Sequence, residues 1–132
     1  MRALRSPAVW SLLATALATG ALVGHARLRA AERARARRDG LRLLDVAPRQ
    51  RRAPNDLDYA GAASRLYRAV KLGDTSRAVR FGYHLAKAGA AAGASDDRAA
   101  NVELDLASSI APGDPRPLVL RGQIDLDRGL PS

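Results

Sequence analysis

The sequence predicts an all-α protein with one N-terminal transmembrane helix, an Arg-rich stalk and a domain of repeat-like antiparallel helical hairpins. Three observations predict this fold class. An uncharged run covers residues 6–26, which is enough to cross a bilayer as a helix. From residue 56 onwards apolar residues recur at helical spacings. No segment alternates between apolar and polar residues as a strand does, so no sheet is expected.

The first 26 residues are interpreted as a membrane anchor. Ala, Thr and Gly dilute the leucines of the run, and Trp10 stands where an interfacial aromatic residue would stand. A cleaved secretory signal is the first alternative, because Gly24 and Ala26 are small residues suited to a cleavage site. Arg27 directly after that cut makes the site a poor one. A buried helix of a soluble protein is the second alternative.

Residues 27–54 are interpreted as an Arg-rich juxtamembrane helix and linker. Ala, Arg and Leu favour a helix until Gly40, which is expected to interrupt it. The candidates for contact with anionic lipid headgroups are Arg27, Arg29, Arg33, Arg35, Arg37 and Arg38. Each is worth about 1 kcal/mol near such a surface. A solvated charged helix is the alternative, and binding of nucleic acid by these arginines is disfavoured because no aromatic residues are interleaved.

The charge distribution limits the function classes. The net charge of +9 comes from the first 52 residues, which hold 12 arginines and three acidic residues. The other 80 residues hold 10 basic and 10 acidic residues, which argues against a nucleic-acid-binding face across the domain. The arginines after the apolar run outnumber those before it, which predicts a cytoplasmic domain, with an extracytoplasmic one as the alternative. With no cysteine in the chain, cysteine usage indicates no compartment.

Residues 55–132 are predicted to form a domain of four helices. The predicted segments are 56–74, 77–93, 94–112 and 115–129. Their expected caps are Asn55 or Asp56, Asp74 to Ser76, Ser95 or Asp96, and the pair Pro115 and Pro117, with Gly73 and Gly129 closing the first and last helices. The expected core faces are Tyr59, Ala63, Leu66, Tyr67 and Val70 on the first helix, and Ala78, Phe81, Leu85 and Ala88 on the second. Short connections predict antiparallel hairpins.

The third and fourth helices carry a spacing of small and large residues that resembles the tetratricopeptide repeat. The repeat-packing residues are Ala100, Leu104, Ala107, Pro112 and Gly122, with Leu118 at a further position of the pattern. The small residues among them are expected to allow close helix approach, and the proline ends one helix. The resemblance covers roughly residues 96–129 and implies a repeat array. Arg121 and Asp125 depart from it, since apolar and aromatic residues are usual there.

The end of the sequence at Ser132 leaves no second helix to cover the fourth one in such a repeat. We therefore expect an open apolar face that docks on another protein. The candidate partner-binding residues are Leu118, Leu120, Ile124 and Leu126.

Catalytic chemistry is not expected. The two histidines, His25 and His84, lie in different parts of the chain, and the glycines follow no strand that would form a phosphate-binding loop. Acidic residues such as Glu103 and Asp105 are interpreted as solvated helix faces. No catalytic residue, metal, cofactor or small-molecule substrate is therefore predicted.

These observations lead to an expected function. The chain is predicted to be a membrane-anchored helical interaction module, acting as an adaptor, assembly factor or accessory subunit of a larger membrane or envelope complex. Its expected partners are other protein subunits and the bilayer with its anionic headgroups. An exported soluble tetratricopeptide-like binding protein, freed by signal cleavage, and a nucleic-acid-associated protein using the Arg-rich helix are the alternatives.

Overall fold

A computed structural model of the chain describes residues 6–45 and 58–129. All regular structure in these ranges is helical, which confirms the all-α fold class. The helices are α1 (Pro7–Leu44), α2 (Tyr59–Lys71), α3 (Arg77–Gly93), α4 (Asp97–Ile110) and α5 (Arg116–Asp127). The chain divides into two compact units, Met1–Glu32 and Arg33–Ser132. The predicted caps Asn55 and Asp56 lie outside the described residues.

The described part of the first unit, residues 6–32, contains the apolar stretch of α1. Its length and composition make α1 a candidate membrane span, and no residue of its apolar stretch is buried. The large exposed side chains are Trp10, Leu12, Leu13, Leu17, Leu22 and Val23. The hydroxyls of Thr15 and Thr19 donate to backbone carbonyls one turn earlier, each at 2.8 Å. These hydroxyls are therefore satisfied within the helix, as an apolar surrounding requires.

The last turns of α1 belong to the second unit. The sequence predicted a break at Gly40. This prediction is wrong, because the helix continues to Leu44. Ala36, Gly40 and Leu44 lie one turn apart and are all buried. A Cβ at Gly40 would lie 2.6 Å from Leu66 Cγ and 3.2 Å from the Leu66 backbone nitrogen, so α1 approaches α2 closely there. This packing outweighs the cost of about 1 kcal/mol for a glycine within a helix. The compact unit thus begins before residue 55.

Helix α2 has local signals at both ends. The Asp58 carboxylate accepts a hydrogen bond from the backbone N–H of Gly61 at 2.8 Å and forms the N-cap. At the other end Gly73 adopts a φ of 92°, and the N–H of Asp74 donates to the carbonyl of Ala69. This left-handed glycine ends the helix as predicted.

The buried face of α2 differs from the predicted one. Ala62, Leu66 and Ala69 are fully buried, whereas Tyr67 and Val70 are 47% and 39% exposed. The small alanines allow α2 to approach its neighbours closely, which turns the larger residues to the edge. The helical periodicity predicted the helix correctly, but it did not predict which face of the helix packs in the core.

Helix α3 is the central helix and packs on α2, α4 and α5. It buries more residues than the predicted core face contains, and Ala78 of that predicted face is exposed. The buried residues are Val79, Phe81, Gly82, Leu85, Ala86, Ala88 and Gly89. Val79 and Ala86 join the core cluster around Leu66, while Phe81 and Leu85 join a second cluster with α4 and α5. A helix with neighbours on several sides buries residues at most of its turns.

Helices α4 and α5 complete the second cluster. Ala100, Leu104 and Ala107 are fully buried, as their repeat-packing positions predict. Asp96 caps α4 by accepting from the N–H of Ala99 at 3.0 Å, and the helix ends before Pro112. Neighbouring helices pack antiparallel, which agrees with hairpins.

The predicted role of Gly122 is wrong. A Cβ at Gly122 would meet no atom within 4 Å, whereas one at Gly89 would collide with the ring of Tyr59. Close approach of the helices therefore depends on Gly40 and Gly89.

Gly122→Ala is expected to raise the free energy of unfolding by up to about 1 kcal/mol, because alanine favours the helix and restricts the unfolded chain. Chemical denaturation would measure this, with Gly40→Ala as the contrast that should lower stability; a loss on Gly122→Ala would contradict the structure.

Candidate protein-interaction surface

The four predicted partner-binding residues separate into two pairs. Leu120 and Ile124 are only 7% and 6% exposed and pack in the core cluster of α3, α4 and α5. Leu118 and Leu126 are 68% and 69% exposed. Residues two positions apart in a helix point about 200° apart around its axis. Leu118 and Leu126 therefore lie on the side of α5 away from Leu120 and Ile124. We call Leu118 and Leu126 the α5 edge, the part of the predicted surface that is available to a partner.

Ion pairs hold α5 against α4. Arg121 Nη2 lies 2.5 Å from Asp105 Oδ1, and Arg128 pairs with Asp97. Position 121 is one of the departures from the tetratricopeptide pattern, and its contact with Asp105 supplies a link between the two helices where the pattern has an apolar residue. Asp105, interpreted from the sequence as part of a solvated face, is 72% exposed at its side chain yet engaged in this pair.

The connection between α4 and α5 is fixed by Asp114 and Arg116. The Asp114 carboxylate accepts from the Arg116 backbone N–H at 3.0 Å and from its Nη2 at 2.7 Å. The hydrogen bonds from Arg116 lower the pKa of Asp114 and outweigh the opposing effect of burial. The same guanidinium lies 4.8 Å from the ring centre of Phe81. This corner therefore ties the start of α5 to the core around α3.

A polar cluster joins α3 to α4. His84 Nδ1 lies 2.6 Å from Glu103 Oε2, and Lys87 Nζ lies 2.6 Å from Glu103 Oε1. Burial raises the pKa of Glu103, but its hydrogen bonds with His84 and Lys87 have the larger combined effect and lower it. The prediction of a solvated face at Glu103 is wrong. No local pattern could have indicated the cluster, because Glu103 and His84 are 19 residues apart in sequence.

Acid is expected to weaken this cluster. Because the pKa of Glu103 is lower in the folded chain than in the unfolded one, its contribution is present above the unfolded value and is lost as pH falls through the folded value. Glu103→Gln is expected to cost about 1–2 kcal/mol at neutral pH and to flatten the pH dependence below about pH 5. Denaturation at a series of pH values measures both, with Asp39→Asn, the same change at an exposed carboxylate of α1, as the control. If the variant lost as much stability in acid as the wild type does, Glu103 would be excluded as a source of the acid sensitivity.

An aromatic stack continues from this cluster to α2. The rings of Tyr67 and Tyr83 stack with centres 6.1 Å apart. Lys71 lies 5.4 Å from the Tyr67 ring centre, and Lys87 lies 5.4 Å from that of Tyr83. Together with the pair of Lys87 and Glu103, these contacts link α2, α3 and α4 and serve the fold.

The six predicted headgroup residues also separate. Arg33 and Arg37 act on Asp74, a buried carboxylate of the α2–α3 connection. Burial raises the pKa of Asp74, but hydrogen bonds from Ser76 and the charges of Arg37 and Arg33 lower it overall. The other four of the six, Arg27, Arg29, Arg35 and Arg38, are exposed and do not act on Asp74. These four remain available for anionic headgroups.

Within the described residues no group of three or more His, Cys, Asp and Glu side chains is placed to hold a metal ion. No protein-family model, curated protein or solved structure matches the chain. The tetratricopeptide resemblance therefore depends on the residue spacing and on the helix packing described above.

Proposed function

We propose that this chain is a membrane-anchored helical interaction module, acting as an adaptor, assembly factor or accessory subunit of a larger membrane or envelope complex. The observation that carries the proposal is the apolar stretch of α1, none of whose residues is buried. Burying one large apolar side chain is worth about 1.5–3 kcal/mol, so a run of this length favours a hydrophobic surrounding. A bilayer supplies that surrounding.

The interaction role is supported by the α5 edge and the repeat-like packing. Helices α3 and α4 form a hairpin closed by Ala100, Leu104 and Ala107, and α5 begins the next unit of a tetratricopeptide-like array. Leu118 and Leu126 leave apolar surface on that unit. In repeat arrays each unit buries its apolar face against a neighbour, so an uncovered face suits docking on another protein.

The distribution of charge supports the proposed membrane side and lipid contacts. The arginines after the apolar run outnumber those before it, which supports a cytoplasmic helical unit. The exposed Arg27, Arg29, Arg35 and Arg38 would contact anionic headgroups. Nucleic acid and small-molecule substrates are not part of the proposed function.

The test is extraction of the full-length protein from its native membranes in mild detergent, followed by mass spectrometry of what accompanies it in fixed ratio. A stoichiometric partner is expected. It should be lost with Leu118→Asp/Leu126→Asp and kept with Val70→Asp, a matched change at an exposed apolar residue of α2. A lone monomer in the detergent-free fraction, shortened to begin near Arg27, would establish signal cleavage and overturn the anchor.

A further inference from the structure

A groove follows α3 on the side that faces α5, the end of α1 and the start of α2. It consists of three adjoining cavities of about 560, 170 and 630 Å³. The first two share Pro115 and Arg116 in their lining, and the last two share Tyr59, Leu120 and Gln123. The cavities therefore adjoin one another, and all their described lining residues lie within Arg33–Ser132.

The centre of the groove is apolar and narrow. Leu44, Leu85 and Val119 contribute to the smallest cavity. The lining of α3 extends from Ala78 to Gly93, which corresponds to about 22 Å along the helix axis at 1.5 Å per residue. An extended chain of about six or seven residues covers that length. A helix, about 10 Å across, does not fit the narrow central cavity.

Both ends of the groove carry more carboxylates than cations. Among the described residues, Asp45 and Asp114 line one end together with one cation, Arg116, which already pairs with Asp114 at 2.7 Å. Asp58 and Asp127 line the other end, where the lining cation Arg128 pairs with Asp97. The described residues that line the groove thus carry more negative than positive charge at both ends, although the whole chain carries a net charge of +9.

We propose that this groove binds an extended segment of a partner protein that has apolar side chains at its centre and Lys or Arg toward both ends. The apolar centre would take the middle side chains, and the acidic ends would select and orient the flanking cations. This deepens the interaction role proposed above and rests on it, but it uses a different surface from the α5 edge.

The test uses the purified full-length chain in detergent and libraries of peptides of about eight residues. One library has Lys or Arg toward both ends around an apolar centre, a second has Asp or Glu at those ends, and a third has the basic composition scrambled. The first library is expected to bind best. Asp127→Arg should weaken binding of its members about tenfold, whereas Asp39→Arg, the same charge change at an exposed residue outside the groove lining, should not.

Three results would overturn the proposal. The first is equal binding of the three libraries. The second is an equal loss of peptide binding with Asp39→Arg and Asp127→Arg. The third is peptide binding that occurs only after residues 46–57 are replaced by a Gly/Ser linker, which would make that segment the occupant of the groove. The proposed function is judged separately by the native partner. A partner kept with Asp127→Arg but lost with Leu118→Asp/Leu126→Asp leaves that function standing, while no partner in fixed ratio removes it.

Discussion

A fragment that begins at Arg33 is expected to unfold cooperatively, whereas one that begins at Asn55 is expected to lose most of its stability. The shorter fragment lacks the end of α1, and with it Ala36 and Leu44 of the core cluster around Leu66. Leu66 and Val79, fully buried in the chain, would then border an open face. With about 1.5–3 kcal/mol for each of these two side chains exposed, the loss is about 3–6 kcal/mol. That is comparable to the whole stability of a small domain.

Thermal and chemical unfolding of the two fragments, followed by circular dichroism, would measure this difference. Gly40→Ala in the longer fragment is the matched control, because it disturbs the same contact with Leu66 without removing the helix. It should lower stability by about 1–3 kcal/mol, the usual cost of overpacking. Equal stability of the two fragments would show that the end of α1 contributes nothing to the core.

Local signals in the sequence predicted most of the helix ends, although α2 is capped by Asp58 and not by Asn55 or Asp56. The left-handed glycines at 73 and 129 and the cap at Asp96 all depend on residues within a few positions of one another. The start of α5 at the pair Pro115 and Pro117 was predicted for the same reason.

Packing between distant segments was not predictable in the same way. Gly40 lies within a helix because Leu66, which is 26 positions later, packs onto it, and nothing near residue 40 indicates that contact. On α2 and α5 the helical period was correct, but the direction of the core depended on which neighbour each helix meets. That is why Val70 and Leu118 are exposed, and why only half of the candidate partner surface is available.

Leu17→Arg is expected to release most of the chain from the membrane. An arginine at the centre of a span costs about 2.5–3.5 kcal/mol, and each Leu or Val contributes about 0.3–0.6 kcal/mol in favour of insertion. The five large aliphatic residues of the run, Leu12, Leu13, Leu17, Leu22 and Val23, therefore contribute about 1.5–3 kcal/mol together. One arginine near the middle cancels that sum.

Alkaline carbonate extraction of membranes that contain the full-length chain would measure the effect. Replacing Leu17 shifts the insertion equilibrium by about 3–4 kcal/mol, which is more than about a hundredfold. Leu28→Arg is the matched control, because Leu28 is an equally exposed leucine of α1 outside the apolar run. It should leave the chain in the pellet. If both variants stayed there, α1 would not be the anchor, and attachment through the exposed arginines or through a partner would have to account for retention.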